Sequence, residues 1–377
     1  MLYIQDPEYE NSFLLNEALL EACETAEYGA GTYAFVSANG IDLLMKNSIF
    51  EKFIETGKYF LVIGMDEITN TNTINAITEY KNVHSNLSVK AFVHTTKASI
   101  YHPKFSWFKT REGGYLVTGS GNLTQKGLRK NREAYVLEKV TNDQIKSIEA
   151  EWNRWIKSLD SYLFDINDKK VLEKAKENKK RAMERTKGRC TNKKKSKGDE
   201  HLYAKREMIE YEDESGAWEI TNDSLALLAE IPIGRDRKSK KWCQANFDVE
   251  TLESYFGTKP NSKYEIILRC VTKEGIILDI EKRPVISKKS INYCFELTPP
   301  QGTLYPENGR PIGVFVKIAV RTFLYMVIMP DDEYHPQLSE KLDAYHVRKN
   351  RLVRYQLSVK ELRKLCNTLP IFDYMEE

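Results

Sequence analysis

The sequence predicts an α/β sandwich followed by a mainly β domain. Three observations carry that expectation. The chain has 377 residues, and at roughly 100–200 residues per domain it is too long for one ordinary unit. Over residues 1–164, apolar strand runs alternate with helical stripes, the pattern of helices packed on a sheet. Over 206–377 the texture changes to short β-rich runs separated by turn residues. Residues 165–205, between the two, read as a basic linker, helical or flexible.

In chain order, Phe13–Cys23 reads as a helix and Thr32–Ser37 as a short apolar strand. Ile41–Thr56 reads as one helix, with Ile49, Phe50, Phe53 and Ile54 on a shared face. Tyr59–Gly64 is nearly continuous apolar sequence, as expected of a strand covered on both sides. A helix at Thr73–Tyr80 and a strand at Leu87–His94 follow, then strands at Lys104–Phe108, Tyr115–Thr118 and Ala134–Leu137. The domain closes with a helix whose stripe is Ile148, Trp152, Trp155 and Leu159. The later β runs are Leu225–Ile233, Tyr264–Val271, Gly275–Leu278, Asn292–Leu297, Gly313–Val320 and Phe323–Met329, a spacing that suits a small barrel or sandwich.

Charge is unevenly placed. Asp168–Glu200 holds 14 Lys/Arg and 6 Asp/Glu, a local +8, which leaves about −5 for the rest of a chain whose net charge is +3. With few large apolar residues this stretch buries little, so it reads as a solvated helix, a tether, or both, with contact to an anionic polymer as the sharper reading. The six cysteines include no C-x-x-C and the six histidines no H-E-x-x-H, so neither a zinc ribbon nor a disulfide framework is indicated. No run of about 18 apolar residues is present, and Met1–Asp6 has no basic start or apolar signal core. A soluble, cytoplasmic protein without a membrane partner is expected.

The chemistry is concentrated in Tyr101-His102-Pro103-Lys104-Phe105, Gly119-Ser120-Gly121-Asn122 and Asn131-Arg132-Glu133. His102 and Lys104 are two apart, so on a strand they share a face. Gly119-Ser120-Gly121 follows an apolar strand and, with Asn122, makes a tight turn suited to an anion. A neutral imidazole can attack phosphorus and form a covalent phosphohistidine, while Lys and Asn stabilise charge on the non-bridging oxygens. No carboxylate cluster suited to Mg²⁺ accompanies them. The implied chemistry is two-step phosphodiester cleavage with no metal and no cofactor.

H-x-K, then G-S-x-N, then N-x-E at a strand start resembles the signature of the phospholipase D superfamily over about residues 1–160. The resemblance implies a mixed sheet flanked by helices, and it assigns roles. His102 is the nucleophile, Lys104 and Asn122 bind phosphate, Ser120 supports it, and Glu133 orients the histidine. A second histidine protonates the leaving group. One departure is that the family's Asp, five residues after the lysine, is Lys109 here. The motif occurs once, and His84, His94, His201, His335 and His346 lack a lysine at the required spacing. The simplest source of the acid is a second subunit, so a homodimer with a shared active site is expected.

The segment Ile233–Phe247 is basic and carries side-chain amides: Arg235, Arg237, Lys238, Lys240, Lys241, Trp242, Gln244 and Asn246. Arg can read guanine, Gln or Asn can read adenine, and Lys can hold phosphates, so double-stranded DNA is the expected partner. The bland reading is a solvated loop. Arg348–Arg351 with Arg354 reads as an ordinary charged helix face. The whole arrangement resembles the metal-independent, phospholipase D-like restriction endonucleases, which join this catalytic domain to a DNA-reading pseudobarrel of the plant B-three type. By that resemblance Arg235–Asn246 is the N-terminal arm, and the second arm falls near Arg283–Lys289 or near Glu307–Arg310. The expected function is a sequence-specific DNA endonuclease of restriction or defence. Other readings are a general nuclease or repair phosphodiesterase, a lipid phosphatidyltransferase, and a DNA-binding module without activity. The sequence leaves open a separate helicase or methyltransferase partner.

Overall fold

The computed structural model describes residues 1–94, 100–190, 217–233, 242–259, 262–287, 293–298, 304–345 and 352–376, with the backbone alone over 183–190 and at 287. The chain divides into two compact units, one built mainly from residues 1–200 and the other mainly from 218–377.

The first unit is organised by an eight-stranded mixed sheet. Its strands are β1 (Leu2–Gln5), β2 (Tyr28–Tyr33), β3 (Lys58–Gly64), β4 (Leu87–Phe92), β5 (Lys104–Thr110), β6 (Gly113–Gly119), β7 (Glu133–Val140) and β8 (Leu163–Asp165). Their order is β1-β7-β6-β5-β2-β3-β4-β8, with β2, β3 and β4 parallel and the other pairings antiparallel. Helices α1 (Leu15–Cys23), α2 (Ala38–Met45), α3 (Ser48–Thr56), α4 (Thr71–Val83), α5 (Asn142–Ser158) and α6 (Lys169–Cys190) complete it. Tyr59–Gly64 behaves as its sequence suggests: Tyr59, Leu61, Val62 and Ile63 are all buried. The expected α5 stripe packs on the sheet, with Trp152 edge-on to both Phe60 and Phe105.

Three expectations are corrected. The strand read at Thr32–Ser37 is centred earlier, at Tyr28–Tyr33. Gly29 and Gly31 weaken its sequence signal, yet a Cβ at Gly31 would sit 2.3 Å from both the Ser106 and Tyr59 side-chain oxygens, so close packing demands glycine. The single helix expected over Ile41–Thr56 is two, because Asn47 starts a new one: its Oδ1 accepts from Ile49 N at 2.9 Å. The stretch from Lys169 is a docked helix in its first half. Val171, Ala175 and Asn178 are buried along one face, and Asn178 Nδ2 donates to the Met65 and Thr69 carbonyls at 2.8 Å each. Residues 191–205 of the expected linker lie outside the described residues.

The second unit holds two sheets among its described residues. One is β12-β11-β16-β15-β9-β17, made of Glu281–Arg283, Ile266–Cys270, Thr322–Ile328, Ile312–Ala319, Leu225–Glu230 and Arg354–Ser358. The other is β10 (Gln244–Phe247), β14 (Tyr293–Glu296) and β13 (Ile286–Ser287). Phe247, Phe256, Phe295, Phe315 and Phe323 form a buried aromatic core. The strand expected at Gly275–Leu278 is a turn with one bridge, Val271 to Ile277. Arg354, read as part of a helix face, lies on β17, where it donates to the Asn246 carbonyl at 2.6 Å and pairs with Asp248 at 3.0 Å.

Candidate active site

Strand direction alone gathers the motif. β5 begins at Lys104, β6 ends at Gly119 and β7 begins at Glu133, and the three are consecutive antiparallel neighbours. Tyr33, the last residue of β2, pairs with Lys104. His102, Lys104, Ser120, Asn122 and Glu133 therefore come from one edge of one sheet.

His102 is solvent-exposed, and the backbone before it is held firmly. Tyr101 is buried, stacks on Phe92 at 4.2 Å and on Trp155 at 6.2 Å, and bonds Thr32 through its hydroxyl. The Phe35 ring meets His102 edge-on at 6.0 Å. Lys104 Nζ lies 2.9 Å from each imidazole nitrogen and 3.1 Å from the His102 carbonyl. Partial burial, then the adjacent Lys104 ammonium, push the His102 pKa below its ordinary value of 6.5. Both effects favour the neutral ring, the form that can attack phosphorus. Desolvation likewise lowers the pKa of Lys104, while Glu133 acts in the opposite direction.

Asn122 is aimed by its own acceptor. Its Oδ1 takes the Phe35 backbone N–H at 3.2 Å, which leaves Nδ2 as a donor for a substrate oxygen. The loop behind it is tightly packed: a Cβ on Gly127 would lie 2.5 Å from the Asn122 carbonyl oxygen and 2.7 Å from its nitrogen. The segment after β2 also holds the loop, through Ser37 N donating to Leu123 O at 3.1 Å.

Ser120 and Glu133 form a pair. The Ser120 hydroxyl donates to Glu133 Oε2 and accepts from Ala134 N at 3.1 Å, and Asn131 Nδ2 donates to Glu133 Oε1 at 3.0 Å. The role given to Glu133 by resemblance, orienting the histidine, has no hydrogen bond behind it in this structure. Its carboxylate is held by Ser120 and Asn131 and acts on Lys104 through charge. Lys109, in place of the family's Asp, lies at the opposite end of β5, paired with Tyr28 in the sheet and with Glu149 at 2.8 Å.

Sequence reading missed Gln5. It is wholly buried on β1, donates to the Gly127 carbonyl at 3.1 Å and the Asn131 carbonyl at 2.8 Å, and accepts from Leu15 N at 2.8 Å. It thus braces the loop between Asn122 and Glu133. Gln5→Ala removes the partner of three backbone groups, two of them buried, so unfolding free energy is expected to drop by about 1–3 kcal/mol. A urea titration checks this, and an unchanged midpoint contradicts it.

The nucleic-acid candidates are not gathered in the same way. Arg235, Arg237, Lys238, Lys240 and Lys241 lie outside the described residues. Trp242 is a correction: it is only 3% exposed and packs edge-on to Tyr305 at 5.7 Å, so it is core and offers no surface to a base. Gln244 and Asn246 share one face of β10, opposite buried Ala245 and Phe247. Arg283 is engaged internally, with Glu281 at 2.9 Å and Thr298 at 2.6 Å, and Arg310 pairs with Glu230 at 2.8 Å.

An exposed imidazole, an ammonium, a carboxamide and a braced carboxylate lie together on one sheet edge, and their residue pattern resembles that of phospholipase D superfamily nucleases. The sequence matches no family model and no curated protein. Among solved structures, the chain is similar to the phospholipase D family member Nuc from Salmonella typhimurium, with 19% identity over 44% of this chain and 97% of that one and a TM-score of 0.33. It is also similar to NucT from Helicobacter pylori (14% identity, 44% and 98% covered, TM-score 0.31). A third is the N-terminal domain of Helicobacter pylori LlaJI.R1 (10% identity, 35% and 97% covered, TM-score 0.25).

Proposed function

We propose that this chain is an endonuclease that hydrolyses DNA phosphodiester bonds without a metal, through a covalent phosphohistidine at His102. The carrying observation is the exposed, pKa-lowered His102 with Lys104 at 2.9 Å and the Asn122 amide on the same sheet edge. The neutral imidazole attacks phosphorus, the P–N bond forms, and the bond to the leaving oxygen breaks. Lys104 and Asn122 Nδ2 hold the charge on the non-bridging oxygens. A protonated second imidazole gives its proton to the leaving alkoxide. Water then attacks phosphorus, the P–N bond breaks, and the same second imidazole takes up the proton. A homodimer supplies that group as the other subunit's His102.

DNA is favoured over lipid. No described helix is long and apolar enough to cross a membrane, and the stretch of chain assigned to the second unit includes the basic 235–241 segment. Gln244 and Asn246, side by side on one face of β10, supply the side-chain chemistry for reading adenine. We assign the second unit to sequence recognition, which makes the protein a restriction or defence enzyme.

Incubation of the purified protein with a mixed-sequence plasmid in EDTA tests both halves. Discrete fragments are expected. A smear would remove sequence reading from the proposal, and strict dependence on added Mg²⁺ would remove the mechanism.

A further inference from the structure

The charged groups around His102 do not account for the orientation of its ring. Lys104 Nζ stands 2.9 Å from each imidazole nitrogen, so it holds the ring without choosing which nitrogen faces the substrate. The Glu133 carboxylate is engaged by Ser120 and Asn131. The torsion that turns an imidazole is broad and roughly two-fold, so a ring with no packing partner presents either nitrogen. Attack on phosphorus needs one nitrogen held in line.

The chain just past β2 supplies a packing partner. β2 and β5 are antiparallel, and their ladder ends on the pair Tyr33–Lys104. Carried two residues farther, the same register sets Phe35 opposite His102, and opposite residues of an antiparallel pair point to one face. Pro103 has no N–H to extend the ladder, yet the side chains still meet. The two ring centroids are 6.0 Å apart with planes at 76°, a favourable edge-to-face geometry. Phe35 is itself held from both sides. Ala34 is wholly buried, and a Cβ on Gly64 would lie 2.4 Å from its carbonyl oxygen. Val36 N donates to Thr69 Oγ1 and Ser37 N to Leu123 O, each at 3.1 Å. Between these anchors the Phe35 N–H donates to Asn122 Oδ1 at 3.2 Å. One half-buried residue thus meets the imidazole with its ring and the carboxamide with its backbone. Its apolar ring also keeps water from one side of His102, in line with the desolvation that leads the causes lowering the His102 pKa.

We infer that Phe35 is a positioning residue: its ring sets the orientation of the His102 imidazole and shields it from water, while its backbone N–H aims Asn122 at the same phosphate. The inference deepens the nuclease reading and rests on it for the reaction that is served. Its geometry comes from the β2–β5 register and the ring contact.

The test uses full-length Phe35→Ala and Phe35→Leu, both of which keep the backbone N–H to Asn122. Histidines are isotope-labelled at Cε1, and the His102 signal, identified by its loss in His102→Ala, is followed by NMR through a pH titration. Every other sample retains Lys104, which acts on the ring directly, and Glu133, which acts on Lys104. Without the Phe35 ring the imidazole is better hydrated, so the His102 pKa is expected to rise toward 6.5 in Phe35→Ala. It is expected to stay near the parent value in Phe35→Leu, which keeps apolar bulk. Plasmid cleavage in EDTA is measured in parallel. In Phe35→Ala, kcat is expected to fall by about 10–100-fold, the scale on which a small misplacement acts, with KM unchanged and the pH optimum moved upward. Phe35→Leu recovers part of that loss. A His102 titration identical in parent and Phe35→Ala overturns the inference whatever the rate does. So does a titration that moves while kcat stays in place, because the ring would then not serve the reaction. A fall in kcat matched by a fall in the urea midpoint, with the titration unmoved, makes Phe35 a structural residue and overturns it too. If the parent cleaves no DNA, the nuclease reading fails, while the titration still decides whether Phe35 acts on His102.

Discussion

His102→Ala is expected to abolish strand cleavage while leaving DNA affinity in place. The imidazole is the only nucleophile at the sheet edge in this mechanism, and loss of such a group lowers turnover by at least about 10⁴-fold. The side chain is exposed and meets Lys104 and the edge of Phe35. Its removal should shift stability by no more than about 0.5 kcal/mol, as for an ordinary surface substitution. Single-turnover cleavage and a binding titration on the same duplex separate the two effects. Cleavage within roughly tenfold of the parent would require a different nucleophile. Parallel loss of cleavage and binding would make His102 a binding residue.

Lys104→Met is expected to reduce turnover by about 10²–10³-fold, the range found when one preorganised charge donor is removed. It should also move the pH profile, in a direction that can be worked out. In the dimeric mechanism one His102 must be neutral and the other protonated, so the productive form peaks at the apparent pKa of the pair. Burial and the Lys104 ammonium both lower that pKa from 6.5. The parent optimum therefore falls on the acid side of pH 6.5. Removing the ammonium eliminates one of the two lowering effects, so the pKa rises and the optimum moves upward. A kcat/KM profile of parent and variant checks this. An optimum that stays in place would mean that Lys104 does not act on the histidine, and a downward shift would contradict the electrostatics outright.

The gathering of His102, Lys104, Ser120, Asn122 and Glu133 at one sheet edge was legible because their spacing is itself geometry. Two residues apart on a strand means one face, and a Gly-Ser-Gly-Asn turn after an apolar strand places its polar groups at a sheet end. What supports them was not legible. Gln5 acts on Gly127 and Asn131 across more than 120 positions of sequence, and a lone glutamine in a short edge strand carries no local signal. Nothing local in the sequence marks the roles of Tyr101 and Phe35: Tyr101 is fixed by its tertiary stack with Phe92 and Trp155, and Phe35 meets His102 edge-on and gives its N–H to Asn122. In α6 the buried face is Val171, Ala175 and Asn178, two modest apolar residues and an amide, and the surrounding lysines mask it. Trp242 shows the converse error: an aromatic at the end of a basic run looked available to DNA, yet its indole fills the core beside Tyr305.

The most direct test of the central claim is to trap the intermediate. The protein is mixed with a duplex oligonucleotide in EDTA, quenched in alkali and digested, and the peptides are mapped by mass spectrometry. The account predicts a nucleotide phosphate bonded to His102, stable in alkali, lost in acid, and missing from the His102→Ala variant. Efficient cleavage in EDTA with the adduct on another residue, or with no adduct at any time during turnover, would contradict it.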